Sequence, residues 1–215
     1  MLAAQGRTVP TLGERSSVEP PVLHTPRLII RAFVEDDIED IYLACQDSEI
    51  QRWTTVPVPF LRKHAEDFVR EIYPLGWARN AHRILGSFLR ESGALVSTLT
   101  MIATGHQVFE IGYWTSKIQR GHGYTVEALD AYVRWIFLFL GAQRIEWQGF
   151  IGNPGSFAVA AKVGFRLEGT MRARANQRGT VRDTQMAGLI PADLGLPSGQ
   201  GAQGIGQTPS ASDAN

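Results

Sequence analysis

The 215-residue chain is 44% hydrophobic and 20% charged, which is material for one good core and too little for two. Its 21 Lys+Arg balance 21 Asp+Glu, so no basic excess argues for nucleic acid, and an anionic ligand must be held by local geometry. The single cysteine, Cys45, excludes an intrachain disulfide and is expected as a small hydrophobe in a helix core.

Residues 1–21 mix Gly, Pro, Ser, Thr and single charges without a period. Residues 195–215 are rich in Gly, Ser, Gln and Pro and have almost nothing to bury. Both segments are expected to be disordered, around a folded domain at 22–194. No basic segment followed by an apolar stretch opens the chain. The longest apolar run, Trp135–Leu140, is far below the ~20 residues of a membrane span. A soluble cytoplasmic protein without membrane contact is expected.

Arg27–Phe33 reads as the first strand, and Glu35, Asp36 and Asp37 open a helix through Cys45, acidic at its positive end. Pro57 and Pro59 mark a loop. Leu61–Ala78 has apolar residues at a helical period. Arg83–Arg90 and Ala94–Ile102 read as a hairpin turning at Glu91-Ser92-Gly93, and Val108–Trp114 as a further strand. Val126, Leu129, Val133, Ile136, Phe137 and Leu140 share one helical face, ended by Gly141. Arg144–Ile151 is a strand. Asn153 is an N-cap before Pro154, and that helix ends near Gly164. Phe165–Arg174 and Thr180–Ile190 are the last strands, turning at Gln177-Arg178-Gly179. Hairpins and crossover helices together predict an α/β fold with a mixed sheet.

The stretch QRGHGYTVEAL, residues 119–129, places Gly121 and Gly123 where a strand passes into a helix. The first turn of a helix has unpaired N–H groups and a partial positive charge. Glycines let a ligand approach that backbone, and the result is an anion cradle suited to a pyrophosphate. A plain tight turn uses the same two glycines. A P-loop is excluded because no Gly-x-x-x-x-Gly-Lys-Ser/Thr string exists, and a Rossmann fingerprint because position 126 is valine.

The blocks EIGYWTSKIQRGHGYTVEAL, GNPGSFAVAAKVGFRLEGTMR and VRD, with the opening TPRLIIRAFVEDD, resemble the GNAT superfamily of acetyl-CoA-dependent N-acetyltransferases. Within it they are most similar to the Rim-type ribosomal-protein N-terminal acetyltransferases. The resemblance runs from about Thr25 to Leu194. It implies a GNAT fold: a mostly antiparallel sheet of about six to seven strands, splayed in the middle and flanked by helices.

The resemblance further implies that Arg120, Gly121, His122, Gly123, Tyr124 and Thr125 cradle the CoA pyrophosphate, mostly by backbone N–H. Ile111–Trp114, including Tyr113, would run beside the pantetheine arm, Asn153 would bond that arm, and Ser156 would sit near the thioester sulfur. Lys162, Gly164 and Phe165 match the block that closes the following helix. Two positions depart from the superfamily pattern. Ile118 stands where Gln or Arg is usual, so Arg120 is the substitute cation. Ala160 stands where a tyrosine often serves as acid.

The reaction implied is direct attack of a primary amine on the thioester. An α-amine of pKa about 7.7–8.0 is roughly 10–15% neutral at pH 7, whereas a lysine near 10.4 is below ~0.1%. A protein N-terminal α-amine therefore asks least of a base and is the expected acceptor, ahead of a small-molecule amine such as an antibiotic or polyamine. Glu110 is the candidate base through water, against a plain solvated strand-end carboxylate. A backbone N–H near Tyr113 or Trp114 would steady the oxyanion. Ser156 is the candidate proton donor to sulfur, against a plain helix-turn hydroxyl. Trp53, Trp77 and Trp114 are expected as core or cleft walls, and Trp53 or Trp77 is the one an acceptor pocket would borrow. The five histidines show no ligand spacing, so no metal is expected. Ile118 and Ala160 also motivate another reading, a CoA-binding regulatory module without turnover.

Overall fold

The computed structural model describes residues 19–197; the two expected disordered segments lie largely outside that range, at 1–18 and 198–215. The period-two runs pair into one sheet of eight strands. They are β1 (Leu23–His24), β2 (Leu28–Arg31), β3 (His82–Leu89), β4 (Leu95–Gly105), β5 (Val108–Thr115), β6 (Arg144–Phe150), β7 (Arg166–Gln177) and β8 (Thr180–Leu189). Their order is β1-β2-β3-β4-β5-β6-β8-β7. The sheet exceeds the expected six to seven strands because the two-residue β1, too short for an alternation to show, pairs with β2.

Every pairing is antiparallel except β5 with β6. That exception follows from connectivity: a long helix, α5 (Tyr124–Leu140), must carry the chain between two strands that point the same way. Leu129, Val133 and Ile136 of α5 are fully buried, worth about 1.5–3 kcal/mol each. Tyr132 is buried beside them, and its hydroxyl donates to the Arg83 carbonyl at 2.7 Å. Gly141 ends the helix in the left-handed region at φ +67°, as a C-terminal glycine should. Next in the chain beyond β6, α6 (Pro154–Val163) packs on α5 and β6.

On the N-terminal side, a 3-10 turn at Glu35–Asp37 leads into α1 (Ile38–Ala44). The predicted helix at 61–78 is α3 (Arg62–Asp67), a π turn (Phe68–Ile72) and α4 (Tyr73–Ala78) in succession. Between them lies α2 (Ser48–Trp53), which the sequence reading missed; six residues give little periodicity, although Asp47 caps it by accepting from the Glu49 N–H. Trp77 is buried with its indole N–H on the Ile84 carbonyl, so it belongs to the core and not to an acceptor wall. Cys45 is buried as expected, and burial pushes its thiol up to about 12. It should resist a maleimide at pH 7 and react once the chain is unfolded; fast labelling of the native protein would contradict this burial.

One long-range fastening ties the C-terminal hairpin to the N-terminal half. Gln177 donates to the Arg52 and Thr54 carbonyls, both at 2.8 Å. Arg178 donates to the carbonyls of Gln51, Thr54 and Val56 at 2.7, 3.3 and 3.0 Å. Arg178 holds φ +51°, a conformation that is unfavourable for a side chain of this size and is maintained by those contacts. Arg178→Ala keeps the strained backbone and loses the guanidinium, so it should destabilise by about 1–3 kcal/mol in urea melts. Arg178→Gly relieves the strain and should lie between Ala and wild type. Wild-type stability in Arg178→Ala would show that the fastening carries no load.

Candidate active site

β5 and β6 pair through four rungs, from Val108↔Arg144 to Ile111↔Trp147, and then part. Beyond that rung β5 continues on β4 as far as Thr115, and β6 continues on β8 as far as Phe150. A gap opens in the middle of the sheet. Ser116 N–H donates to the Val96 carbonyl at 2.8 Å. Alternation along the antiparallel ladder then commits Trp114 and Gly112 to β4 and turns the N–H and C=O of Tyr113 toward the gap. Of the two residues singled out as oxyanion donors, the ladder therefore presents Tyr113. A cavity of about 1200 Å³ fills the gap and runs to both faces, reaching Gly121 and Gly123 at one end and Trp53, Phe60 and Phe150 at the other.

Gly121 and Gly123 adopt φ +83° and +76°, where a Cβ is disfavoured. Gly123 is the N-cap of α5, and no side chain caps that helix. Its first-turn amides are thus available to a ligand, and a Cβ on Gly121 would project into open space beside them. The acidic residue of that turn, Glu127, is drawn away: it accepts from Arg27 Nε at 2.6 Å, the Arg27 amide at 2.9 Å and the Thr25 hydroxyl at 2.6 Å. Arg27 also donates to the His122 carbonyl at 3.0 Å and lies 4.5 Å over the Tyr124 ring. His122 stacks on that ring, 5.4 Å between centroids. Thr125 shares a hydrogen bond of 2.7 Å with Thr115.

Arg27 and Thr25 were missed as loop braces, although both lie in the opening block TPRL. Arg120 is not a free cation. Its guanidinium is ion-paired with Asp47 and donates to the Thr115 carbonyl. Arg120, Gly121, Gly123, Tyr124 and Thr125 line the cavity here, and the uncapped first turn of α5 offers main-chain amides that fit a diphosphate held without surplus positive charge. Ile118 is largely exposed and makes no polar substitute.

At the other side of the gap, Asn153 caps α6, its Oδ1 accepting from the Ser156 N–H at 3.2 Å. Ser156 Oγ accepts from Trp147 Nε1 at 3.2 Å, and its carbonyl accepts from the Tyr113 hydroxyl at 2.6 Å. Lys162 lies farther along the cavity wall. Ala160 is fully buried, but the Tyr113 hydroxyl sits beside its backbone amide. A phenol from β5 therefore reaches the neighbourhood where position 160 has none.

Side chains alternate along β5, so Glu110, Gly112 and Trp114 face the side opposite Ile111 and Tyr113. Glu110 is accordingly across the sheet from Ser156. It accepts from Gln148 Nε2 at 2.9 Å. Burial raises its carboxyl above the ordinary range; nearby Arg174 lowers it and Glu146 raises it further. Trp53 walls the same end of the cavity, its indole N–H on Glu49 at 2.8 Å. Among the described residues no cluster of three or more His, Cys, Asp or Glu suits a metal, and no helix is long and apolar enough to cross a membrane.

Comparison with known proteins matches this geometry. Residues 27–166 match the family model of the acetyltransferase (GNAT) domain. The uncharacterized N-acetyltransferase YoaA of Bacillus subtilis strain 168 is 27% identical over 172 residues, covering 79% of this chain and 97% of the relative. A structure from Vibrio cholerae, described as a ribosomal-protein-serine acetyltransferase, superposes with TM-score 0.72 at 25% identity, over 79% of this chain and 97% of its own. RimL, the ribosomal L7/L12 alpha-N-protein acetyltransferase solved with coenzyme A, shares the fold with TM-score 0.70 at 21% identity, over 80% of this chain and 98% of its own. With the family model spanning most of the chain, and the open gap and uncapped glycine turn in place, the protein belongs to the GNAT family of acetyl-CoA-dependent N-acetyltransferases.

Proposed function

We propose that this enzyme acetylates the α-amine at the N-terminus of a protein. The observation that carries the reading is that the base beside the β5–β6 gap is a carboxylate, raised by burial and still far less basic than an amine. Glu110 is a carboxylate on the acceptor side of the gap, half-buried and held by Gln148. Such a base suits an amine that is already partly neutral near pH 7 and is poorly matched to lysine. The likeness to ribosomal-protein acetyltransferases supports the same acceptor.

Acetyl-CoA, when bound, supplies an acetyl group activated as a thioester. Residues Arg120–Thr125 hold its diphosphate by main-chain amides, and Ile111, Tyr113, Trp114 and Asn153 line the course of its arm. Glu110 takes, through water, the proton that the acceptor nitrogen sheds. The Tyr113 amide faces the place where oxygen gains negative charge. Ser156 offers its hydroxyl proton to the sulfur from the opposite side of the sheet. The catalytic domain spans 22–194 in this proposal.

The test is an acceptor panel read by mass spectrometry: peptides with a free α-amine, Nα-blocked lysine peptides, and polyamines. The proposal expects product on the free α-amines. Turnover confined to lysine or polyamines would overturn it.

A further inference from the structure

We propose that Trp147 is a positioning residue that aims the Ser156 hydroxyl, with Tyr113 sharing the task from the neighbouring strand. The proposal rests on reading the gap between β5 and β6 as the channel of the thioester arm.

Ser156 is held at three of its polar atoms. Asn153 Oδ1 takes its N–H, the Tyr113 hydroxyl donates to its carbonyl, and Trp147 Nε1 donates to its Oγ. A serine hydroxyl rotates to suit its partners, whereas an indole N–H can only donate. The bond from Trp147 therefore obliges Oγ to act as acceptor on that side and directs its own hydrogen elsewhere.

The donor itself is fixed. Trp147 is 2% exposed and stands at the last β5–β6 rung, the apex of the gap. Its ring packs on Phe157 of α6, 5.5 Å between centroids. The indole occupies room that only a glycine leaves: a Cβ on Gly149 would lie 2.4 Å from Trp147 Cζ2 and 2.6 Å from Cη2. Tyr113 is half-buried against the same cluster, and desolvation raises its phenol, so it remains a donor at neutral pH. An isolated helix-turn serine needs none of this arrangement.

The readout is the ultraviolet absorbance of the CoA thiolate, titrated against pH with CoA bound to the full-length protein. It needs no acceptor. Ser156→Ala should raise the apparent pKa of the bound thiol by about one unit, the scale of one hydrogen bond to a charged group. Ser156→Thr, which keeps a hydroxyl, should retain the wild-type value. Trp147→Phe and Tyr113→Phe should each shift the thiol in the same direction by less. Neither should add to Ser156→Ala in a double variant, because both act through Ser156. Glu110 and Lys162, charged groups on the same cavity, are unchanged in every variant.

Wild-type titration in both Trp147→Phe and Tyr113→Phe would overturn the proposal, as would shifts that persist when Ser156 is alanine. Tyr113→Phe removes a single oxygen and tests the share of Tyr113 alone; if Trp147→Phe fails to fold, Gly149→Ala, whose Cβ would lie 2.4 Å from Trp147 Cζ2, displaces the indole in its place and should shift the thiol in the same direction. Absence of calorimetric CoA binding by the wild type would instead defeat the reading of the channel.

Discussion

Gly121→Val is expected to weaken CoA binding about a hundredfold or more while the protein stays folded. Two effects combine. Gly121 sits at φ +83°, where a β-branched residue is strained by roughly 1–3 kcal/mol, so the turn relaxes and its amides lose their common aim. The added carbons would also project into the open space that the ligand needs, because nothing in the protein lies within 4 Å of the new Cβ. A hundredfold corresponds to about 2.7 kcal/mol, no more than two hydrogen bonds to a charged oxygen. Beyond that strain the fold loses little, because no protein atom lies within 4 Å of the new Cβ. Calorimetry with CoA and a thermal melt separate the outcomes, and a variant that binds as tightly as wild type would remove the glycine turn from the site.

Glu110→Gln should be slower and, at alkaline pH, more stable. Loss of a positioned base lowers kcat/KM by about a hundredfold. The wild-type rate should fall with slope one below the amine pKa and steepen to slope two once Glu110 protonates; the variant should keep slope one. The stability sign follows from the raised carboxyl. A group whose folded pKa lies above its unfolded value favours the fold most below the unfolded value, and that advantage is lost as pH rises through the folded one. Ionised Glu110 thus opposes folding at about pH 8, where glutamine should melt higher, and the difference should close by about pH 4. Unchanged pH profiles in both rate and melting would place Glu110 outside the chemistry.

Much of this was legible in the residues. The long apolar face of α5, the Asn153-Pro154 start of α6 and the hairpin at Glu91-Ser92-Gly93 are local signals, and each element formed within a few residues of its expected bounds. The conformation of the glycine turn was legible because it depends on main chain and spacing. What escaped were contacts made across the chain. Arg120 reads as a free cation beside a phosphate loop, yet Asp47, 73 residues away, claims it. Arg27 reads as the start of a strand, yet it braces His122 and Tyr124. Trp77 and Trp53 look alike in sequence, and only packing sends one to the core and the other to the cavity wall. The Tyr113 hydroxyl near position 160 has no local signature, because strand and helix meet there only in the folded sheet.

The central claim is that main-chain amides at the mouth of α5 hold the diphosphate of the coenzyme. Amide proton and nitrogen shifts of the full-length protein, followed by NMR as CoA is added, test it most directly. The account predicts the largest shifts at the N–H groups of Gly121, His122, Gly123, Tyr124 and Thr125. Saturable binding that leaves those five resonances in place and moves another cluster would contradict it.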